Sequence, residues 1–122
     1  MNALIIVDHG SKVDEANKVL YKIAEILRLD INSRFDIVEP CHMELASPSI
    51  YDAFKKCVES GADKIVVHPY FLVPGRHSKY DIPRMVEEAA REFPEVEFHV
   101  TDSLGIHRKI IEVVLEKSHS CL

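Results

Sequence analysis

The run ALIIV, residues 3–7, is the stretch that decides the fold. It is apolar at every position, whereas a strand with one face in water alternates apolar and polar side chains. A continuous apolar run of this length is typical of a strand that is covered on both faces. The sequence DHGS, residues 8–11, follows at once, so polar groups begin where the predicted strand ends.

Strand-like and helix-like patterns alternate along the rest of the chain. The predicted strands are residues 3–7, 35–39, 63–68 and 96–101, and helical periodicity is clear over residues 14–29, 81–93 and 106–117. Between the second and third strands, Ser47 and Pro48 predict a helix start, as N-cap and first helical residue. Gly61 is placed to end that helix.

This alternation predicts the fold class. The order βαβαβαβα indicates an α/β domain with a parallel four-stranded sheet and helices on both faces. The chain has 122 residues, within the usual range for one domain. We expect a single domain over residues 1–117, followed by a flexible C-terminal tail at residues 118–122.

Composition excludes several classes of function. The formal net charge is −5 and there is no long basic block, which argues against binding to nucleic acid. No apolar run approaches the roughly 20 residues of a membrane helix, so we expect no membrane association. The three cysteines are odd in number and include no CxxC pair, which argues against a disulfide framework and against a thiolate zinc site. The cytoplasm is the simplest compartment.

Ionisable residues cluster after three of the predicted strands. In open α/β sheets, ligands bind beyond the carboxyl ends of the strands. His9, Glu44 and His77 each follow a different strand, so they could converge above one edge of the sheet. Imidazole and carboxylate together suit divalent first-row metals, and the same groups accept protons near neutral pH. The sequence therefore predicts a site for metal binding and proton removal.

Each of these residues also has an ordinary interpretation. His9 fits a turn before a helix, His77 a solvated loop, and Glu44 an exposed loop carboxylate, while His42 could be a neighbour that only orients its loop. The combination carries the prediction, not any single residue. Neither GxGxxG nor GxxxxGK[ST] occurs, which argues against a dinucleotide or Walker-type phosphate site.

Three segments resemble a known family. LIIVDHGSK (residues 4–12), VEPCHMELASPSI (residues 38–50) and VVHPYFLVPGRHSKYDIP (residues 66–83) are similar to the small CbiX/SirB-type sirohydrochlorin chelatases of the class II chelatase family. The resemblance extends to about residue 117. It implies insertion of a divalent metal into sirohydrochlorin, a cyclic tetrapyrrole with eight carboxylates. Fe2+ is favoured, for siroheme biosynthesis, with the ion as substrate and no organic cofactor.

The resemblance also implies roles for individual residues. His9 and His77 match the two active-site histidines of the family, and Glu44 matches its acidic metal-site residue. The predicted contacts with the substrate are made by the loop residues Gly10, Ser11, Gly75, Arg76 and Lys79. Arg76 and Lys79 would pair with substrate carboxylates. A chain of this length resembles the short form of the family, which implies a homodimer.

Other readings stay open at this point. The inserted metal could be Co2+, on the way to cobalamin, or Ni2+ for a related tetrapyrrole, because the ligand set does not separate these ions. A metal-binding or tetrapyrrole-binding module without turnover would share the histidines. A flavodoxin-like domain with no metal role is the plainest alternative.

Overall fold

The computed structural model describes residues 1–75 and 78–122, except for the side chain of Ser78. Strands and helices alternate along the chain: β1 (Asn2–Asp8), α1 (Asp14–Leu29), β2 (Ile37–His42), α2 (Ile50–Glu59), β3 (Lys64–Pro69), α3 (Ser78–Ala90), β4 (Glu97–Val100) and α4 (Arg108–His119). The four strands are parallel and lie in the order β2-β1-β3-β4. This confirms the predicted α/β class and the order of the elements.

β1 lies inside the sheet, and its two faces are both covered. Ile5 and Val7 belong to the larger core, which includes residues of α2 and α3, whereas Ile6 packs with residues of α1 on the other face. All three side chains are buried. Successive side chains of a strand point to opposite faces, so only a continuous apolar run can fill both cores.

The second strand differs from its predicted range. It was predicted at residues 35–39, but β2 spans Ile37–His42 and includes Pro40. Proline lacks the amide that a central strand needs, but an edge strand tolerates it, and β2 is at the edge of the sheet. The loop with Glu44 therefore begins at Met43, and His42 belongs to the strand.

The start of α2 also corrects the prediction, because Ser49 and not Ser47 is the N-cap. The Ser49 hydroxyl accepts a hydrogen bond from the Asp52 amide over 3.1 Å, and the Asp52 carboxylate accepts one from the Ser49 amide over 3.0 Å. This reciprocal pair is a capping box, which satisfies two amides at the helix start. The Ser47–Pro48 peptide is cis and precedes the helix.

The last two helices are shifted by two or three residues from their predicted ranges. α3 begins at Ser78, three residues before its predicted start, and contains Pro83. α4 begins after His107, whose ring accepts a hydrogen bond from the Lys109 amide over 3.1 Å. It continues to His119, two residues into the segment that we expected to be a flexible tail.

α4 is less buried than the other helices. None of its residues is buried within the part of the chain that the structure describes. Four of its large apolar side chains are exposed: Ile111, Val113, Val114 and Leu115. Within the same described residues, no helix is both long enough and apolar enough to cross a membrane.

Candidate functional site

The ends of β1 and β2 bring the first two predicted metal ligands together. Asp8 and His42 are direct partners in the register of the two strands. Beyond them, the Met43 amide donates to the Asp8 carbonyl over 2.8 Å, and the Glu44 amide donates to the His9 carbonyl over 3.0 Å. The side chains of His9 and Glu44 are exposed. Two of the predicted ligands thus lie side by side at the carboxyl edge of the sheet.

Gly10 permits this close approach of the two loops. Its φ is +86°, in the left-handed region that favours glycine. A Cβ atom at this position would lie 2.0 Å from the carbonyl oxygen of Glu44 and 2.9 Å from Cβ of His42. The glycine is therefore required by the contact between the loops, as well as by its own backbone angle.

The amides of the loop after β1 are used within the protein. The Gly10 amide donates to Oδ1 of Asp8 over 3.0 Å. The Ser11 amide donates to Oδ1 of Asn17 over 2.9 Å, and Nδ2 of Asn17 donates back to the Ser11 carbonyl over 2.8 Å. Asn17 is buried. Gly10 and Ser11 are thus held in place by α1 and by Asp8, and these two amides already have acceptors.

A groove opens next to His9. The rings of His9 and Phe71 lie 4.6 Å apart between centroids. Phe71 also lines a groove of about 700 Å³ between the ends of β3 and β4 and α3. Pro74 and Lys79 line the same groove. The groove therefore lies close to His9, one of the predicted metal ligands.

The charges around the groove are mixed. Lys79 supplies an ammonium group, whereas Glu87 and Asp102 supply carboxylates. The guanidinium group of the nearby Arg84 pairs with the Asp81 carboxylate over 3.3 Å. Among these lining residues the carboxylates outnumber the ammonium group, so a polyanionic ligand would need further cations.

The remaining predicted site residues are Gly75, Arg76 and His77. Gly75 is exposed, and its carbonyl accepts a hydrogen bond from the Lys79 amide over 3.4 Å. Arg76 and His77 lie outside the described residues. Within residues 1–75 and 78–122, no group of three or more His, Cys, Asp or Glu side chains is arranged to hold a metal ion. Of the three predicted metal ligands, the structure therefore describes two, His9 and Glu44.

Other histidines lie away from this edge. The half-buried ring of His68 bonds through Nδ1 to the Thr101 hydroxyl over 2.7 Å, and burial lowers the pKa of His68 below its ordinary value. His99 is exposed and lies 3.1 Å from a carboxylate oxygen of Glu97.

Sequence reasoning missed three supporting residues. Asp8 and Tyr21 bond to the ring of His42, and Asn17 fixes the Ser11 backbone. A polar side chain such as Asn17 among the apolar positions of a helix was a signal that could have been used. Tyr21 gave no such signal, because its contact depends on where α1 crosses the ends of the strands.

Nearly the whole chain is similar in sequence to known proteins. The CbiX family model matches residues 3–121. The chain belongs to the CbiX family. It is 44% identical to the chloroplastic sirohydrochlorin ferrochelatase of Arabidopsis thaliana over 99% of this chain and 53% of that protein. It is 31% identical to the sirohydrochlorin cobaltochelatase of Methanococcus maripaludis over 98% of this chain and 99% of that protein.

A solved structure of another protein has the same fold. SirB from Bacillus subtilis with Fe3+ superposes with a TM-score of 0.86 at 28% identity, covering 95% of this chain and 45% of that one. The chain therefore spans about half the length of the plant relative and of SirB, but nearly all of the Methanococcus relative.

Proposed function

We propose that this protein inserts a divalent metal ion into sirohydrochlorin, with Fe2+ as the favoured ion and siroheme as the product. The observation that carries the proposal is the hydrogen bond of 3.0 Å from the Glu44 amide to the His9 carbonyl. It supports a metal-facing edge to which His9 and Glu44 contribute an imidazole and a carboxylate. The name of the Arabidopsis relative, a ferrochelatase, supports Fe2+.

The reaction sets three demands on the residues. The ion must lose bound water, the macrocycle must be held, and two pyrrole N–H groups must release their protons as the ion enters. In the proposal, His9 and His77 hold the ion facing the ring, Glu44 assists, and one or both histidines take up the protons. The ion replaces two protons, so no redox step and no organic cofactor is involved.

The groove beside Phe71 is the proposed binding site of the tetrapyrrole. Phe71 touches His9 and lines the groove, so a ring lying there would face the metal-binding edge. Lys79 supplies a cation for the substrate carboxylates, and Arg76 is the second cation in the proposal. Gly10, Ser11 and Gly75 contribute through the shape of their loops. A second cation such as Arg76 is needed because the carboxylates of Glu87 and Asp102 repel a polyanionic substrate.

Cobalt insertion is the second candidate. The Methanococcus relative has nearly the length of this chain and is named a cobaltochelatase. Nickel remains a third possibility for the same ligand set. Anaerobic conversion of sirohydrochlorin, followed by absorbance with Fe2+, Co2+ and Ni2+ in parallel, tests the proposal and ranks the ions. Rates no faster than the no-enzyme controls for all three ions would favour a binding module without turnover.

We also propose that the chain acts as a homodimer in the cytoplasm. The exposed apolar side chains of α4 support an interface, because a soluble monomer rarely leaves a whole helix face uncovered. The sheet face at β1 and β3 has an apolar groove of about 360 Å³, lined by Leu4, Ile6 and Val66, for such a helix. Cys41, Cys57 and Cys121 are free thiols, which suits a reducing compartment.

A further inference from the structure

The side chain of His42 is the one fully buried imidazole among the described residues, and it lies directly beneath the metal-binding edge. Its Nδ1 atom is 2.5 Å from Oδ1 of Asp8, the residue opposite it in the strand register. Asp8 is followed by His9, and His42 is followed two residues later by Glu44. The ring therefore connects the two strand ends that carry the proposed ligands.

Tyr21 of α1 completes this connection from the other side. Its hydroxyl lies 3.1 Å from Nε2 of His42 and donates a hydrogen bond to the Ser47 carbonyl over 3.1 Å. The two rings meet edge to face with centroids 5.6 Å apart. Tyr21 thus joins the buried imidazole to the far end of the loop that contains Glu44.

An ionised carboxylate can only accept, so Nδ1 of His42 donates its proton to Asp8, which also receives the Gly10 amide. The Tyr21 hydroxyl lies 3.1 Å from both Nε2 of His42 and the Ser47 carbonyl, so it joins the ring to that carbonyl. Both ring nitrogens are engaged and the ring is inaccessible, so His42 in this arrangement is not a metal ligand.

The loop after His42 needs such support. Leu45 has φ of 68°, the one non-glycine residue with positive φ among those described. This conformation costs of order 1–2 kcal/mol for a residue with a Cβ atom, so surrounding contacts must maintain it. The Glu44 amide bond to His9 and the Tyr21 bond to Ser47 lie on either side of Leu45.

We infer that Asp8, His42 and Tyr21 form a positioning network that fixes His9 and Glu44 relative to each other for metal binding. The inference rests on the proposed function for its metal, but not for its hydrogen bonds. None of the three residues touches the ion or the tetrapyrrole. Groups that orient metal ligands from behind typically change metal affinity or activity by about 10-fold to 100-fold when they are removed.

Tyr21→Phe tests the network with the smallest change, since it removes one oxygen and keeps the ring. Tyr51→Phe is the matched control, because the Tyr51 hydroxyl also donates a hydrogen bond, to Glu92 over 2.5 Å, on an exposed surface of α2. The two readouts are amide hydrogen exchange at Glu44 and the affinity for Co2+ alone, titrated by its visible absorption. Thermal unfolding of both variants checks that they are folded.

In Tyr21→Phe we expect Glu44 amide exchange to quicken and Co2+ affinity to fall, each on the order of 10-fold. Tyr51→Phe should match the wild type in both readouts. Unchanged exchange at Glu44, or faster exchange with unchanged Co2+ affinity, would overturn the inference while the proposed function stands. A wild-type protein that binds no Co2+ would instead refute the proposed function, and the inference with it.

Discussion

The Glu44 amide donates a hydrogen bond of 3.0 Å to the carbonyl of His9, so two residues 35 positions apart in sequence share one edge of the sheet. The pairing of β1 with β2 dictates this contact, because Asp8 and His42 are register partners immediately before the two loops. A parallel sheet places the carboxyl ends of its strands at one edge. Backbone geometry alone thus assembles two parts of the proposed metal site.

The first prediction concerns Gly10. Gly10→Ala should reduce the free energy of unfolding and disturb the Glu44 loop, because the new Cβ would lie 2.0 Å from the Glu44 carbonyl oxygen. The left-handed backbone adds a cost of about 1–2 kcal/mol for any side chain. Chemical denaturation and Co2+ titration measure the two effects, and we expect both stability and affinity to fall.

Gly105→Ala is the control for this prediction. Gly105 also has positive φ, +58°, but the nearest atom that its Cβ would meet is 3.8 Å away. We expect a similar backbone cost without any change in Co2+ affinity. Equal losses of affinity in the two variants would show that the contact between the loops at Gly10 is unimportant.

The second prediction concerns the pH dependence of stability through His68. Burial lowers the pKa of His68 in the folded protein below that of the unfolded chain. As pH falls through about 6.5, the unfolded state takes up a proton that the folded state resists, so stability falls. His68→Gln removes this proton uptake and should lose less stability than the wild type between about pH 7.5 and about pH 5.5.

Equilibrium denaturation at the two pH values measures this difference directly. The other six histidines are present in both proteins, so their contributions cancel in the comparison. An equal loss of unfolding free energy in wild type and variant would contradict the burial effect at His68.

The third prediction concerns α4 as the proposed interface of a homodimer. Val114→Glu should shift the protein from dimer to monomer in light scattering, because it places a carboxylate among the exposed apolar side chains of α4. Val19→Glu on α1 is the matched control, since Val19 and Val114 are similarly exposed, 59% and 56%. Val19→Glu should keep the mass of the wild type in solution. If Val114→Glu kept it as well, the proposal that α4 forms the interface would be wrong.

How far the sequence predicts the fold can be judged from two strands. The run ALIIV predicted β1 and its burial on both faces correctly, because a continuous apolar run of this length is typical of a strand that is covered on both sides. β2 was placed too early because Pro40 reads as the end of a strand. Its position at the sheet edge, which permits proline, is a tertiary property that periodicity does not contain.

The candidate site was predictable to a similar extent. Gly10 and the ends of the strands follow from local patterns, and the convergence of His9 with Glu44 follows from parallel pairing. The roles of Asp8, Asn17 and Tyr21 depend on where α1 crosses those ends, which fixes partners only after the helix has packed. The helix predicted from periodicity at residues 106–117 is present as α4, but none of its residues is buried within the described part of the chain.

The most direct test of the central claim is anaerobic metal insertion into sirohydrochlorin by wild type, His9→Ala, Glu44→Gln and His77→Ala. The side chains of His9 and Glu44 are exposed, so thermal unfolding of their variants should stay close to that of the wild type. We expect wild-type insertion above the spontaneous rate, and about a 100-fold or greater loss in His9→Ala and His77→Ala, as for removal of an acid–base group. Glu44→Gln should be slowed less. Full activity in folded His9→Ala would contradict the account.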